Sequence, residues 1–532
     1  MFQQVSIGAA VAVAALAVTA PIATATEAKQ GGTLRVDLFT DVDFTDPALA
    51  YTGKAAEITY ATCVMLLNYP DSSGPKGSRL TPEAATGFPK ISNGGKTYDF
   101  TVDVPFTRFA PTGARVTAAN FKAAFDRAAD PKMNSPAISF MDDIVGADTT
   151  PVSGVRVTGK HLIVNLKRAA PDFLARAAMP FFCAIPVNLP RDPNGVETPP
   201  SAGPYYIAER TVNQSILIKK NPFYKGKRPH NPDQIAYTVG NSQATNRLRV
   251  ERGDSDYPAD GIPATAYSEV AQKYGVNKSR FYVRPQLSVS YLALNNDRPI
   301  FKGNLKLRKA INFAIDRRAI LSQGGYLGGK RTDQILPPGM AGFKDADLYP
   351  LKRPNLKAAK RWAHGATRDG KIVYYTSNTP TSAAIAQVVQ FNLKQIGLET
   401  EVKQFDRNVL FAKAATRGEP FDITATGWNA DYADPYDFVD VLLNGKNIQP
   451  ASNNNVAYFN DPKFNARMNA ASLLGGSARY AAYGTLDVDI SRNGAPWAAY
   501  GNSNLRIFVS SRVGCFTTSP IYQVDLAALC LK

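Results

Sequence analysis

The stretch 427–440 reads GWNADYADPYDFVD and combines the side chains with the clearest chemistry in the chain. Its four aspartates recur every third residue, and Trp428 is one of only three tryptophans. A carboxylate such as Asp431 can pair with a positive charge, while a neighbouring aromatic ring offers stacking area and a cation–π face. Together these groups could hold a cationic, partly apolar ligand.

The flanking residues indicate where this stretch lies in a fold. Phe421, Ile423 and Ala425 alternate with other residues as in a buried strand, and Pro435 suits the start of a helix. An aspartate-rich turn that caps this helix, with Asp437 as a helix-start residue, fits the same residues. From the residues alone, a ligand site and a helix cap are both open.

The composition indicates a folded chain of several units. Its 532 residues correspond to roughly three domains of about 150 residues each, and the 44% of hydrophobic residues exclude a disordered chain. The net charge of +17 raises the question of a nucleic-acid partner. The basic run 219–229 interleaves aromatics, but such runs are usually solvated faces, so we favour a surface loop and no nucleic acid.

The first 25 residues contain no Lys, Arg, Asp or Glu. An apolar run over 7–22 is followed by Ala23-Thr24-Ala25, the small-residue pattern that precedes a signal-peptide cut. We predict a cleaved signal peptide over 1–25, with an uncleaved membrane anchor as the alternative. The first cysteine is Cys63, so lipid anchoring through a cysteine at the cut has no support.

The chain has four cysteines, which in an exported protein suggest disulfides. Cys515 and Cys530 are close in sequence and are the preferred pair, which leaves Cys63 with Cys183. Four cysteines allow three pairings, and four buried thiols are a further alternative. No C-x-x-C pattern is present, which argues against a zinc or redox motif.

Periodic patterns predict several elements along the chain. Alternation predicts a strand over 98–104 and a hairpin over 155–166, and helical spacing predicts a helix after Thr117, its N-cap. A further helix is predicted over 306–320. Another over 385–396 stops at Gly397 before an alternating strand, an α/β crossover pattern.

Several of these segments resemble the family 5 extracellular solute-binding proteins of ABC importers, the dipeptide, oligopeptide and nickel type. The pattern G-W-x-x-D-Y-x-D-P-x-x-F over 427–438 is similar to a late signature of that family. The run LRKAINFAIDRRAI over 307–320 is similar to one of its helices. Asn120 stands where the family often has Asp, and Ala202 where it usually has Gly. The resemblance runs from about residue 31 to the C-terminus, in chain order.

The resemblance implies an α/β fold of two lobes, a periplasmic-binding-protein-like clamshell of type II (cluster C). Two crossing strands join the lobes, and the first lobe carries an extra subdomain. The implied lobe I is discontinuous and consists of 26–75, 196–290 and 500–532. The subdomain inserted in it covers 76–195, and lobe II covers 291–499.

The resemblance also implies a site. Peptide-binding relatives hold the peptide as an added strand, and one aspartate takes its α-amino group. By motif position that residue is Asp431, with Trp428 stacking beside it and with Gly427 and Asn429 in the strand that the peptide would pair with. No motif transfers for the residue that holds the carboxyl end.

The partners implied are a peptide or similar small solute and the permease and ATPase of an ABC importer. The implied protein is an extracytoplasmic monomer without cofactor, metal or catalytic residues.

Other functions fit the sequence less well. A secreted hydrolase could use Asp431 with Asp434, but no G-x-S-x-G or H-E-x-x-H motif is present. A receptor for nickel, a metallophore or a glycoside is the nearer alternative, and the count of three histidines argues mildly against direct metal ligation. The glycine-rich loop 324–330 has Arg331 where a phosphate-binding loop needs Ser or Thr, so we expect an ordinary loop.

Overall fold

The computed structural model describes residues 30–70, 72 and 74–532. The predicted signal peptide over 1–25 lies outside the described residues and stays a prediction. Among the residues that are described, no helix is both long and apolar enough to cross a membrane.

Most strands of the described residues belong to three larger sheets. In chain order they are β1 (Thr33–Leu38), β2 (Leu67–Asn68), β3 (Thr81–Pro82), β4 (Lys90–Ser92), β5 (Thr97–Thr101), β6 (Arg108–Phe109), β7 (Ala114–Arg115), β8 (Val155–Thr158), β9 (His161–Asn165), β10 (Tyr205–Thr211), β11 (Ser215–Lys220), β12 (Gln234–Val239), β13 (Tyr257–Pro258), β14 (Phe281–Pro285), β15 (Ser288–Leu294), β16 (Gly329–Lys330), β17 (Lys371–Ser377), β18 (Glu399–Phe405), β19 (Ile423–Asn429), β20 (Trp497–Phe508), β21 (Val513–Cys515), β22 (Thr518–Ser519), β23 (Gln523–Val524) and β24 (Cys530–Leu531).

Helices pack against these sheets. They are α1 (Gly53–Thr62), α2 (Ala118–Ala128), α3 (Phe173–Ala177), α4 (Gln243–Arg252), α5 (Tyr267–Tyr274), α6 (Leu305–Ala314), α7 (Arg317–Ser322), α8 (Leu356–Ala363), α9 (Pro380–Lys394), α10 (Arg407–Ala414), α11 (Tyr436–Leu443), α12 (Pro462–Ser472) and α13 (Gly476–Asp489).

The first lobe is built on a five-stranded sheet of order β10-β11-β12-β1-β13. Strand β1, next to the edge of this sheet, runs parallel to both of its neighbours, β12 and β13. A separate four-stranded sheet, β4-β5-β9-β8, has its own apolar core, in which Phe100, Phe125 and Phe182 are buried. This smaller sheet forms a subdomain beside the first lobe.

The second lobe is built on a seven-stranded sheet of order β14-β20-β15-β19-β17-β18, with β16 paired to β20. Apolar side chains cover both of its faces, because residues of β15 alternate between two cores: Leu292 packs on one face and Tyr291 on the other. Near the start of β20, Ala498 packs in the second-lobe core, and near its end Ile507 packs in the first-lobe core. This strand therefore crosses between the lobes.

Several elements predicted from sequence are confirmed. Helix α2 begins after Thr117, whose backbone N–H donates to the Asn120 side chain at 2.8 Å. Strands β8 and β9 form the predicted hairpin. Helix α9 ends shortly before Gly397, which has a φ of +81° and precedes β18. The boundaries of the lobes along the chain stay a prediction.

The single helix predicted over 306–320 is wrong. The chain leaves the helix at Ile315, and α7 begins anew at Arg317. The Asp316 side chain accepts from the Ala319 backbone N–H at 2.9 Å and so caps the second helix. The apolar period continues across this break, which is why the sequence pattern does not reveal it.

Both disulfides join the cysteines that the sequence analysis preferred. Cys515 pairs with Cys530, with a Cα–Cα distance of 4.9 Å, and Cys63 pairs with Cys183 at 5.7 Å. The first joins β21 to β24 near the C-terminus. The second ties the end of α1 to the subdomain, so the two parts of the first lobe are covalently linked.

Candidate functional site

Strand β19 has one edge that is only partly paired. Along its other edge it pairs with β15 over its whole length, from Ile423 to Asn429. On the partly paired edge, β17 pairs only with Ile423 and Thr424 of β19. Within the described residues no strand covers the edge over 425–429, so its main-chain groups are available to a ligand.

Two cavities meet at this open edge, and Gly427, Trp428 and Asn429 line both of them. One, of about 350 Å³, lies within the second lobe beneath the start of α9. The other, of about 270 Å³, lies between the lobes, where Tyr51 and Tyr522 of the first lobe face β19. The four residues that the sequence analysis named all line this second cavity, since Asp431 is also part of its wall.

Asp431 stands just beyond β19, half-buried between the lobes. Its carboxylate accepts a hydrogen bond of 2.9 Å from the Tyr51 hydroxyl, a contact between the two lobes. Burial raises the pKa of Asp431 to about 7, and the hydrogen bond from Tyr51 opposes this rise. A cation placed beside it would favour the charged form, so the site is suited to an ammonium group.

Asp437 positions the two residues that face the cavity. It lies in the first turn of α11, as a helix-start residue should, but its side chain is fully buried. One carboxyl oxygen accepts from the Trp428 indole N–H at 3.1 Å and from the Asp431 backbone N–H at 3.0 Å. Burial and the nearby Asp431 raise the pKa of Asp437 well above its usual range. The sequence analysis missed this role.

The other two aspartates of the stretch are structural. Asp434 forms a buried ion pair with Arg479 at 2.8 Å. Asp440 accepts from the Tyr483 hydroxyl at 2.6 Å, and burial raises the pKa of Asp440 to about 6. Asp434 also accepts from the Tyr436 backbone N–H at 2.9 Å in the turn before α11, as the turn interpretation expects, whereas Asp440 lies within the helix. The Asp434 carboxylate is paired with Arg479, which does not favour the hydrolase hypothesis of an Asp431–Asp434 carboxylate pair.

Tyr432, next to Asp431, is inserted into the apolar core of the subdomain, with 1% of its surface exposed. Its hydroxyl donates to Asp172 at 3.2 Å, and its ring meets Phe140 edge-on at 6.5 Å. The next residue, Ala433, donates its backbone N–H to the Tyr69 hydroxyl at 3.3 Å. Residues 431–433 therefore carry several of the contacts that join the second lobe to the first.

Sequence reasoning did not find Tyr51, Tyr69 or Asp172 as partners of this segment. They lie 380, 364 and 260 residues away along the chain from the residues they contact. Tyr432 was the one available signal of a contact with the first lobe, because it is part of the motif over 427–438. In the described part of the chain, no three His, Cys, Asp or Glu side chains are grouped so that they could hold a metal ion.

The structure has two mixed α/β lobes that are joined by crossing strands. They face each other across a cleft that holds a carboxylate, and this arrangement defines a two-lobed binding protein. The model for bacterial extracellular solute-binding proteins, family 5, matches residues 79–450. The chain belongs to this family, which confirms the resemblance found in the sequence, the clamshell fold and a solute-binding role.

Individual proteins show the same likeness. The chain is 26% identical over 399 residues to the probable D,D-dipeptide-binding periplasmic protein DdpA of Escherichia coli strain K12, covering 74% of each chain. It is 25% identical over 429 residues to the periplasmic oligopeptide-binding protein OppA of Salmonella typhimurium strain LT2, covering 76% of each. The solved structure of clavulanic acid biosynthesis oligopeptide binding protein 2 superposes with a TM-score of 0.87 at 23% identity, covering 94% of this chain and 96% of that one.

Proposed function

We propose that this protein captures short peptides between its two lobes and delivers them to the permease and ATPase of an ABC importer. The protein acts outside the cytoplasm as a monomer, exported by its signal peptide. It binds and releases its ligand without chemical turnover. The relatives that are named for binding dipeptides and oligopeptides support the ligand class.

The observation that carries the proposal is the open edge of β19 over 425–429. This edge lies where the two cavities meet, so a ligand between the lobes reaches unpaired main-chain groups. A peptide offers matching N–H and C=O groups when it adds as an extended strand. Few other small solutes offer main-chain groups at strand spacing.

The peptide's amino terminus is bound by Asp431 in this proposal. The carboxylate lies beyond the end of the open edge, where the first residue of an added strand would place its ammonium group. Trp428 lines the same cavity and adds stacking area. Its indole is fixed by the hydrogen bond to Asp437, so little side-chain freedom is lost on binding.

A library of free-amine tripeptides, offered to the purified protein and read by mass spectrometry, tests this proposal. We expect the protein to retain peptides from this library and to lose them when the library is N-acetylated. The substitution Asp431→Asn should weaken retention of the free-amine library by about thirty-fold or more, because it leaves the ammonium group without its partner.

The matched control is Asp489→Asn, which removes a carboxylate paired with Arg467 outside both cavities. It should retain the library as the original protein does. Equal retention of free and acetylated peptides by the original protein would contradict recognition of an amino terminus. Retention of neither library would contradict the peptide as the ligand class.

A further inference from the structure

The excess positive charge of the chain is concentrated on part of the second lobe. Over 302–371, sixteen residues are Lys or Arg and five are Asp or Glu, which leaves +11 of the net charge of +17. This stretch includes α6, α7 and α8, whose buried residues pack in a core on one face of the seven-stranded sheet. The charge therefore lies in and around the helices that cover this face.

Helices α6 and α8 lie side by side and run in opposite directions. At one end, the Asn304 side chain donates to the Ala366 carbonyl at 2.7 Å. At the other end, the Asn355 backbone N–H donates to the Phe313 carbonyl at 2.9 Å. Buried residues of both helices, such as Ala359 of α8, face the sheet. The opposite sides of the two helices therefore form one outer surface.

This outer surface carries six exposed basic side chains, and we call it the basic face. The Arg368 guanidinium donates to the Lys302 backbone carbonyl at 2.8 Å, so residues before α6 and after α8 meet. Within the described residues none of the six forms an ion pair with a carboxylate. The exposed acidic residue nearest to them in the sequence is Asp369. The six are Lys302, Lys306, Lys357, Lys360, Arg361 and Arg368.

Further positive groups lie beside the basic face. The Lys309 ammonium lies 5.0 Å from the centre of the Trp362 ring, so it is placed between α6 and α8. The pKa of Lys309 is lowered by burial and by the nearby positive charge of Arg492. Like charges gathered in this way repel one another, and negative charge from a partner relieves the repulsion. The basic face is therefore suited to an anionic partner.

Apolar groups among the basic ones indicate the kind of partner. Leu356, at the start of α8, is 37% exposed, and the Trp362 ring is half-buried on the same helix. Basic groups interleaved with Trp and Leu suit the interface of a bilayer, where the charges meet lipid phosphates and the rings lie among the headgroups. Two helices side by side present their charges over an extended surface, which matches many headgroups better than one small anion.

We propose that the basic face holds the protein on a membrane surface that contains anionic phospholipids. The proposal goes beyond peptide capture and does not depend on it, because none of the six residues lines either cavity at β19. A binding protein that stays at a membrane reaches a membrane-bound permease by diffusion in two dimensions. Nucleic acid, another extended polyanion, is disfavoured by the expected export of the protein.

Flotation of the purified protein with lipid vesicles tests the proposal. The vesicles consist of phosphatidylcholine, alone or with about 30% of the anionic lipid phosphatidylglycerol. We expect binding to the anionic vesicles only, and release when the salt is raised from about 0.05 to about 0.5 M, because salt screens the attraction. The variant K357Q/K360Q/R361Q should bind the anionic vesicles about a hundredfold more weakly, since each basic group near the surface contributes about fivefold to the partition constant.

The matched control is K132Q/K225Q/K227Q, which removes three exposed charges without ion pairs from the described part of the first lobe and its subdomain. It should bind the vesicles as the original protein does, and so should K357R/K360R, which keeps the charge. The variant K357Q/K360Q/R361Q should still retain the free-amine tripeptide library, which shows that it is folded and separates this proposal from peptide capture.

Three results would overturn the proposal. The first is equal binding of the original protein to neutral and anionic vesicles, and the second is an equal loss in the two triple variants, which would assign the effect to total charge. The third is no binding to either kind of vesicle. Retention on immobilised DNA in that case would assign the basic face to a different polyanion.

Discussion

At the scale of single residues, the titration of Asp431 has a measurable effect on binding. Its pKa of about 7 means that near neutral pH about half of the empty sites carry a neutral acid. An ammonium ligand favours the carboxylate, so binding below pH 7 requires that a proton leave. We expect the dissociation constant for a free-amine peptide to rise as the pH falls from about 7.5 to 5.5, by up to about tenfold per unit.

Calorimetry at several pH values, in two buffers of different ionisation enthalpy, measures this effect and the proton release together. Asp431→Asn should bind weakly with no such dependence. An affinity that rises as the pH falls, or that is flat in the original protein, would show that Asp431 does not meet the ligand's amine.

Asp437 offers a test of positioning. Asp437→Ala leaves the indole N–H of Trp428 and the backbone N–H of Asp431 without their acceptor, which should cost about 1–3 kcal/mol of the free energy of unfolding. It should also weaken peptide binding, because both residues lose their fixed orientation. Asp437→Asn should change stability slightly and affinity hardly at all, because an amide oxygen can accept the same bonds.

Urea unfolding and calorimetry on the two variants measure both quantities. Peptide binding by Asp437→Ala at the original affinity would mean that Trp428 and Asp431 are held well enough by other contacts. The comparison with Asp437→Asn separates loss of the acceptor from loss of the charge.

At the scale of elements, Tyr432 acts as a contact between lobes. We expect Tyr432→Phe, which removes the hydrogen bond to Asp172, to speed the release of bound peptide several-fold, since most changes in affinity appear in dissociation. Tyr432→Ala should speed it further, because the ring leaves the subdomain core. Stopped-flow displacement of a fluorescent peptide measures the rates.

Tyr483→Phe is the control for this experiment. It removes an equally buried hydroxyl–carboxylate bond, to Asp440, but both residues lie in the second lobe. It should lower stability and leave the release rate unchanged. Equal effects of the two substitutions would show that the Tyr432 contact has no special part in holding the lobes together.

Local elements could be predicted from the sequence, whereas contacts between distant segments could not. The alternation before Trp428 predicted β19, and the cap at Thr117 predicted α2, since both signals lie within a few residues. The break at Ile315 was missed because the apolar period continues through it. Tyr51 carries no local signal at all, since only the closing of two lobes brings it to Asp431. The resemblance supplied Asp431 and Trp428, whereas the contacts of Asp437 with both of them needed the folded structure.

At the scale of the whole molecule, ligand binding should close the cleft. Strand β20 crosses between the lobes, and β14 pairs with residues 504–508 at its first-lobe end before the chain enters β15. A hinge at these strands can open the site to solvent. We expect small-angle scattering to give a smaller radius of gyration with a saturating peptide than without one. Asp431→Asn at the same peptide concentration should keep the larger radius. An unchanged radius in the original protein would contradict the clamshell mechanism.

The open edge of β19 has a consequence for how the protein responds to mixtures. A strand edge contacts main-chain groups, and it makes nearly the same contacts with any sequence because the side chains of an added strand point to the two faces of the sheet. Under the proposed function, many peptides compete for one place, and the share of each depends on all the others present. Occupancy then follows the summed concentration of peptides in the surroundings. The protein would act as a gauge of total peptide supply, with no single compound setting its response.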